Sequence, residues 1–134
     1  MIVVDASIAL AWLFEDEQHE GAMTLLERVA ESRATVPAHW WLEVGNALMA
    51  AKRRHRLRRD PQELLAPLRA LPIVVDSESA LLASTITVEL AVRHDLSTYD
   101  AAYLELAQRR SLPLATLDRA LATAAKAAGV ALAL

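Results

Sequence analysis

The opening stretch, MIVVDASIALAWLF from Met1 to Phe14, constrains this chain more than any other. Ile2, Val3 and Val4 are β-branched and suit a strand buried on both faces. Asp5 ends that run abruptly, being a poor strand residue and a good helix cap. Ser7 follows, and an apolar helical pattern begins. An acid and a hydroxyl therefore sit in the turn between a buried strand and a helix. Ligands of parallel α/β sheets bind at the carboxyl ends of strands, so Asp5 is a candidate first member of an acidic metal site.

The rest of the chain alternates in the same way. Helical stripes are expected over Ile8–Phe14, over Glu20–Ser32, and along a long helix from about Ala38 to His55 with Trp41, Val44, Leu48 and Ala51 inward. Asp60-Pro61 signals a further helix start. Ser79–Arg93 reads as one helix with a Leu82, Ile86, Leu90 stripe, Ser97 or Thr98 caps another that runs to about Arg110, and Asp118 opens the last, which Gly129 ends. Strands are expected at Arg33–Val36, at Ile73–Val75 (buried), at Leu112–Thr116 and, as a final closure, at Val130–Leu134. Such alternation implies crossover units and an α/β fold: a mainly parallel sheet of four to five strands flanked by helices.

Composition narrows the class. The 134 residues suit one domain, and 54% hydrophobic content argues against disorder. A net charge of −3 argues against a generally basic nucleic-acid binder. The absence of cysteine removes disulfides, thiolate metal sites and thiol nucleophiles. No basic n-region with a cleavage site opens the chain, and no apolar run reaches membrane-spanning length, so the expectation is a soluble cytoplasmic protein without a membrane partner.

Four acids stand in unusual places. Asp5 ends the first strand. Glu43 lies in the long helix with Asn46, Ala47 and Ala50 along its face. Asp100 shares a helix face with Tyr103, Leu104 and Ala107, and Asp118 follows the Leu114-Ala115-Thr116 run. Each also has a local reading: Asp5 and Asp118 as caps, Asp100 in a capping box with Ser97, Glu43 as an exposed helical acid. Asp76, which follows Ile73-Val74-Val75, reads as a cap, with Ser77 and Ser79 in the turn after it.

As a set, clustered carboxylates repel unless a cation neutralises them. Oxygen-only ligands suit Mg²⁺ or Mn²⁺ better than Zn²⁺. Ser7, Asn46 and Thr116 are short polar residues at offsets that would support such carboxylates, or else would satisfy nearby backbone.

Four segments together carry a family resemblance: Ile2-Val-Val-Asp-Ala-Ser-Ile, Glu43-Val-Gly-Asn-Ala-Leu, Leu96-Ser-Thr-Tyr-Asp-Ala-Ala-Tyr and Leu114-Ala-Thr-Leu-Asp-Arg. In this order they resemble the PIN-domain nucleases, and among them the VapC toxins of bacterial toxin–antitoxin pairs. The resemblance runs over essentially the whole chain and implies a single PIN domain over residues 1–134 with that family's three-layer fold. It further implies Asp5, Glu43, Asp100 and Asp118 as metal-binding catalytic acids, with Ser7, Asn46 and Thr116 in support. The implied activity is Mg²⁺-dependent hydrolysis of RNA, with Mn²⁺ as a substitute, leaving a 5′-phosphate and a 3′-hydroxyl. The implied partners are a second copy of the chain and a VapB-type antitoxin. Asp76 matches none of the family's acids.

Two other readings compete. One is a non-catalytic PIN-fold module that binds RNA or protein. The other is a phosphotransfer protein with Asp5 as acceptor, but a phosphatase of that kind wants a second Asp where Ser7 stands, and a receiver wants a Lys that Thr116–Arg119 lacks.

The run Lys52-Arg53-Arg54-His55-Arg56-Leu57-Arg58-Arg59 holds six of the 14 Lys and Arg residues. It begins on the last turn of the helix that carries Glu43, where cations suit the helix dipole. Lys52, Arg53, Arg54 and Arg56 are candidate RNA contacts; a solvated helix end and an antitoxin dock are the other readings of the run. Trp40 and Trp41 suit core or dimer packing better than base stacking.

Overall fold

Ile2, Val3 and Val4 form β1 (Ile2–Val4), and all three are buried, in a computed structural model that describes residues 1–134. The chain continues through α1 (Ala6–Leu13), a single 3-10 turn (Glu15–Glu17), α2 (Glu20–Ser32), β2 (Ala34–Val36), α3 (Trp40–Arg53), α4 (Pro61–Arg69) and β3 (Ile73–Val75). It ends through α5 (Ser79–Leu82), α6 (Ile86–His94), α7 (Thr98–Arg110), β4 (Leu114–Ala115) and α8 (Arg119–Ala127). The sheet is four-stranded, ordered β3-β2-β1-β4, with every pairing parallel. No helix is long and apolar enough to cross a membrane.

Alternation along β1 splits the core in two. Val3 joins Val36, Trp40, Val44, Tyr103 and Leu104 on one face. Ile2 and Val4 join Ile8, Leu25 and Val29 on the other. The result is three layers, helix–sheet–helix. The chain leaves β1 toward β2 on one side and reaches β4 on the other, so the sheet order reverses between β1 and β4. A crevice opens at the carboxyl ends of strands at such a switch point, and Asp5 and Thr116 are the residues that follow β1 and β4 there.

Four expectations are corrected. Ile73–Val75 is a strand but an edge one: with β2 as its sole neighbour, Val74 and Val75 stay 45% and 43% exposed. The span 79–93 is not one helix; it breaks after Leu82, where Thr85 adopts φ −124°, ψ −100°. Its hydroxyl donates to Leu82 O at 3.4 Å, in competition with the helical ladder. Ile86 consequently faces out; Leu90 is buried as expected, now with Thr87 and Ala91 beside it. On α3 the fully buried tryptophan is Trp40, packed edge-on against the half-buried Trp41. The closing strand shrinks to one bridge, Leu114 to Leu132. Pro113 beside it has no N–H to extend the ladder. Gly129, at φ +76°, does end the helical segment as expected.

Candidate metal centre and active site

Asp5 is 4% exposed and held from three sides. Ser7 Oγ donates to its Oδ1 at 2.5 Å, and Thr116 Oγ1 donates to its Oδ2 at 2.5 Å. Oδ1 also accepts the Ile8 amide at 3.3 Å, so Asp5 caps α1 as well. The two hydroxyls are themselves fixed. Ser7 Oγ accepts from Leu117 N at 2.9 Å, and Thr116 Oγ1 accepts from Asp118 N at 3.0 Å. One network thus clamps the turn after β1 to the turn after β4.

Burial is the main force on Asp5 and pushes its carboxyl up to about 6, against the opposing effect of its hydroxyl and amide donors; the nearby charge of Asp100 pushes the same way. Asp100, in the first turn of α7, is raised as well: first by burial, then by the charges of Asp118 and Glu43. Asp100 is therefore the hub, within electrostatic reach of the other three acids. Its own amide is capped by Ser97 Oγ at 3.1 Å. Asp118 is exposed and caps α8, accepting from Leu121 N at 2.8 Å. For Asp5 and Asp118 the cap and the clustered acid are the same residue in the same pose.

Glu43 comes from α3, with its side chain 30% exposed. Tyr103 Oη donates to its Oε1 at 3.1 Å, and His39 Nε2 lies 2.7 Å from the same oxygen. Burial first, then the charges of Glu43 and Asp5, hold the Tyr103 phenol protonated far above its ordinary range, so it stays a donor. Neither His39 nor Tyr103 was marked as a site residue by sequence. Tyr103 read as core on the face of Asp100, and His39 carried one signal, its placement four residues before Glu43 on one helix face.

The remaining candidates separate. Asn46 is exposed on α3 and makes no side-chain hydrogen bond to the acids. Lys52, Arg53 and Arg54 are exposed at the end of α3. Arg56 is engaged by protein: its Nη2 donates to Asp16 Oδ2 at 3.0 Å and lies 3.6 Å from Glu17 Oε1, and its guanidinium sits 5.5 Å over the Phe14 ring. Asp76 is the cap expected of it, accepting from Ser79 N at 2.8 Å and Glu78 N at 3.2 Å. It also belongs to an ion cluster that sequence did not reveal. Arg109 donates to Asp76 Oδ2 at 2.7 Å, to Glu105 Oε1 at 2.6 Å and to Glu78 Oε2 at 2.7 Å.

The donor chemistry of the crevice fits a hard divalent cation. All four acids offer oxygen, and the carboxyls of Asp5 and Asp100 are raised first by burial and then by neighbouring acids, both of which a bound cation would oppose. No three side chains close around one point tightly enough to enclose an ion alone. Mg²⁺ keeps several of its waters and takes one or two carboxylates with substrate phosphate, so it does not require three side chains closed around one point.

Comparison with known proteins gives the family and the fold. The PIN domain family matches residues 2–127, a span that includes all four acids. Ribonuclease VapC3 of Pyrobaculum aerophilum is 35% identical over 126 residues, covering 90% of this chain and 92% of the relative. The crystal structure of PAE2754 from Pyrobaculum aerophilum superposes with a TM-score of 0.67 at 22% identity, covering 92% of this chain and 83% of that one. A toxin–antitoxin complex from Klebsiella pneumoniae does so with a TM-score of 0.60 at 22% identity, covering 88% and 87%. At such identity the two structures speak for the fold, while the sequence matches speak for kinship. The chain belongs to the PIN-domain family and, within it, to the VapC ribonucleases.

Proposed function

We propose that this chain is a Mg²⁺-dependent endoribonuclease, with Mn²⁺ as a substitute, and the toxin of a pair in which a VapB-type antitoxin binds and silences it. We assign it to the cytoplasm as a homodimer. The observation that carries the reading is the gathering of Asp5, Glu43, Asp100 and Asp118 from four separate elements around Asp100, at the switch point of the sheet. Two likenesses support it: VapC3 is a ribonuclease by name, and the Klebsiella pneumoniae structure is a toxin–antitoxin complex.

Asp5, Glu43, Asp100 and Asp118 are the residues that would hold the ion. Held there, a divalent cation supplies Lewis acidity to activate water and to stabilise charge developing at phosphorus. The chain does the positioning. Ser7 and Thr116 fix both oxygens of Asp5, and Tyr103 fixes one oxygen of Glu43, beside which His39 Nε2 lies at 2.7 Å. Lys52, Arg53 and Arg54 offer free cations to the phosphate backbone. Hydrolysis by water needs no covalent protein nucleophile and leaves a 5′-phosphate and a 3′-hydroxyl.

The test is cleavage of total cellular RNA by the purified, antitoxin-free chain with Mg²⁺, with EDTA, and with Asp100→Asn, mapping the new 5′ ends. Discrete cuts that require both the metal and Asp100 establish the activity and name the substrate. A folded, metal-supplied protein that cuts nothing moves the assignment to a non-catalytic binding module.

A further inference from the structure

A cavity of about 290 Å³ opens beside the acids and is used by nothing above. It lies between the start of α3, the α5–α6 corner and the start of α7. His39, Thr98 and Tyr99 give it a polar and aromatic rim, and Ala80, Ala83 and Ala102 give it small walls. Its volume stands at the low end of small-ligand sites, which run from about 300 to 1,000 Å³.

Two residues of the cavity lining neighbour the acids. Tyr99 immediately precedes Asp100 on α7, and His39 lies 2.7 Å from Glu43. The Tyr99 ring is 63% exposed yet not free, because the His39 ring backs it at 5.6 Å with a 56° tilt. A large aromatic face is thus braced at the rim of a small pocket, one residue from the hub of the site.

Charge selects the occupant. No Lys or Arg lines the cavity, Glu43 lies against His39 of its rim, and Asp100 follows Tyr99 in the chain. A phosphate or carboxylate finds no cation in that lining. A flat, uncharged ring with polar edges fits alanine walls, a hydroxyl, an imidazole and an aromatic face. Stacking on an aromatic side chain is the general way proteins hold unpaired bases.

We infer that the cavity between His39 and Tyr99 receives one unpaired nucleobase of the RNA, next to the phosphate that lies at the acids, and that Tyr99 stacks on it. This rests on the nuclease reading and makes Tyr99 a positioning residue that selects where along a strand the cut falls.

The test uses the full chain with Tyr99→Ala, which removes the stack, Ala83→Phe, which fills the cavity, and Tyr99→Phe, which keeps the ring. Thermal melts check folding; if Ala83→Phe melts early, the exposed Tyr99 carries the test. On a short oligoribonucleotide, Tyr99→Ala and Ala83→Phe should raise KM about tenfold to a hundredfold, with kcat far less affected. Both should flatten base preference at one position beside the mapped cut, and Tyr99→Phe should restore it. Separately, in EDTA, an oligoribonucleotide carrying 2-aminopurine should lose fluorescence on binding wild type and keep it with Tyr99→Ala. Unchanged KM and cut-site preference in both variants of an active enzyme overturn the pocket and leave the nuclease standing. Quenching that depends on Tyr99 without any cutting by wild type does the reverse. No quenching by a wild type that binds the oligonucleotide overturns the pocket in either case.

Discussion

Tyr103 donates its phenol to Glu43 Oε1 at 3.1 Å, tying the middle of α7 to the first turn of α3. Tyr103 is fully buried, so its ring position is set by the core and its hydroxyl is delivered to the carboxylate at a fixed place. Tyr103→Phe keeps the packing and deletes the donor. The expected cost is about 1 kcal/mol in stability, read by denaturant titration. Activity should fall about tenfold or more, with a weaker response to Mg²⁺, as for groups that orient metal-binding side chains. An unchanged metal titration would mean that His39 alone orients Glu43.

Asp5 makes the metal-free protein pH-sensitive with a definite sign. Its carboxyl sits at about 6 in the fold against 3.8 ordinarily, with burial the first cause. Between those values the folded state binds the proton and the unfolded state has lost it, so stability falls as pH rises from about 4 to about 6. The full loss is about 3 kcal/mol, present at pH 7. Asp5→Asn removes it: in EDTA at pH 7 the variant should melt higher than wild type while cleaving no RNA. Mg²⁺ should stabilise wild type at pH 7 and leave the variant nearly unmoved. A variant that melts lower than wild type in EDTA would show that Ser7 and Thr116 already solvate the carboxylate fully.

What sequence could reveal follows from which interactions are local. The strand–Asp–helix turn at Val4-Asp5-Ala6, the Ser97 cap and the Asp118 cap depend on neighbours within three residues, and all three stand where the pattern put them. The proximity of Asp5 to Asp100 depends on long-range folding; their residue types and positions suggested a set, and the resemblance to a known family supplied the same grouping. The interruption at Thr85 was hidden because Leu82, Ile86 and Leu90 keep helical spacing across it. Val74 and Val75 looked interior because β-branched composition does not distinguish a central strand from an edge. Tyr103 acquires its role from a contact across 60 residues of sequence, which neither periodicity nor capping encodes, whereas His39 stands only four residues before Glu43.

Arg109 is a structural pin apart from the acid site. It donates to Asp76, which is 7% exposed, and to Glu105, which is 2% exposed, and so ties α7 to the turn after β3. Burial pushes Asp76 up, but the Arg109 guanidinium and the amides of Ser79 and Glu78 outweigh it and hold the carboxyl below its ordinary range. That stabilisation is present above the unfolded value near 4 and is lost as pH falls through the folded one. Arg109→Ala strands two buried carboxylates and should cost about 3 kcal/mol or more at pH 7. The cost should shrink toward pH 3 as the Asp76 carboxyl, no longer held down by Arg109 in the variant, protonates. Equal penalties at pH 7 and pH 3, measured by denaturant midpoints, would assign the loss to packing alone.

The basic run divides by what each cation already touches. Arg56 is committed to Asp16, Glu17 and the Phe14 ring, whereas Lys52, Arg53 and Arg54 face solvent without a carboxylate partner. Only unpaired cations release counterions from a nucleic acid on binding, and each contributes a slope of about 0.7 to log affinity against log salt for a single strand. Replacing Lys52, Arg53 and Arg54 by alanine together should flatten that slope by about 2 and weaken binding of every RNA alike. Arg56→Ala should leave the slope nearly unchanged and instead loosen the Glu15–Glu17 turn, seen as faster amide exchange there. Binding measured by fluorescence anisotropy on the Asp100→Asn background, across a salt series, separates the two. A triple variant with the wild-type slope would assign the run to protein contacts and not to RNA.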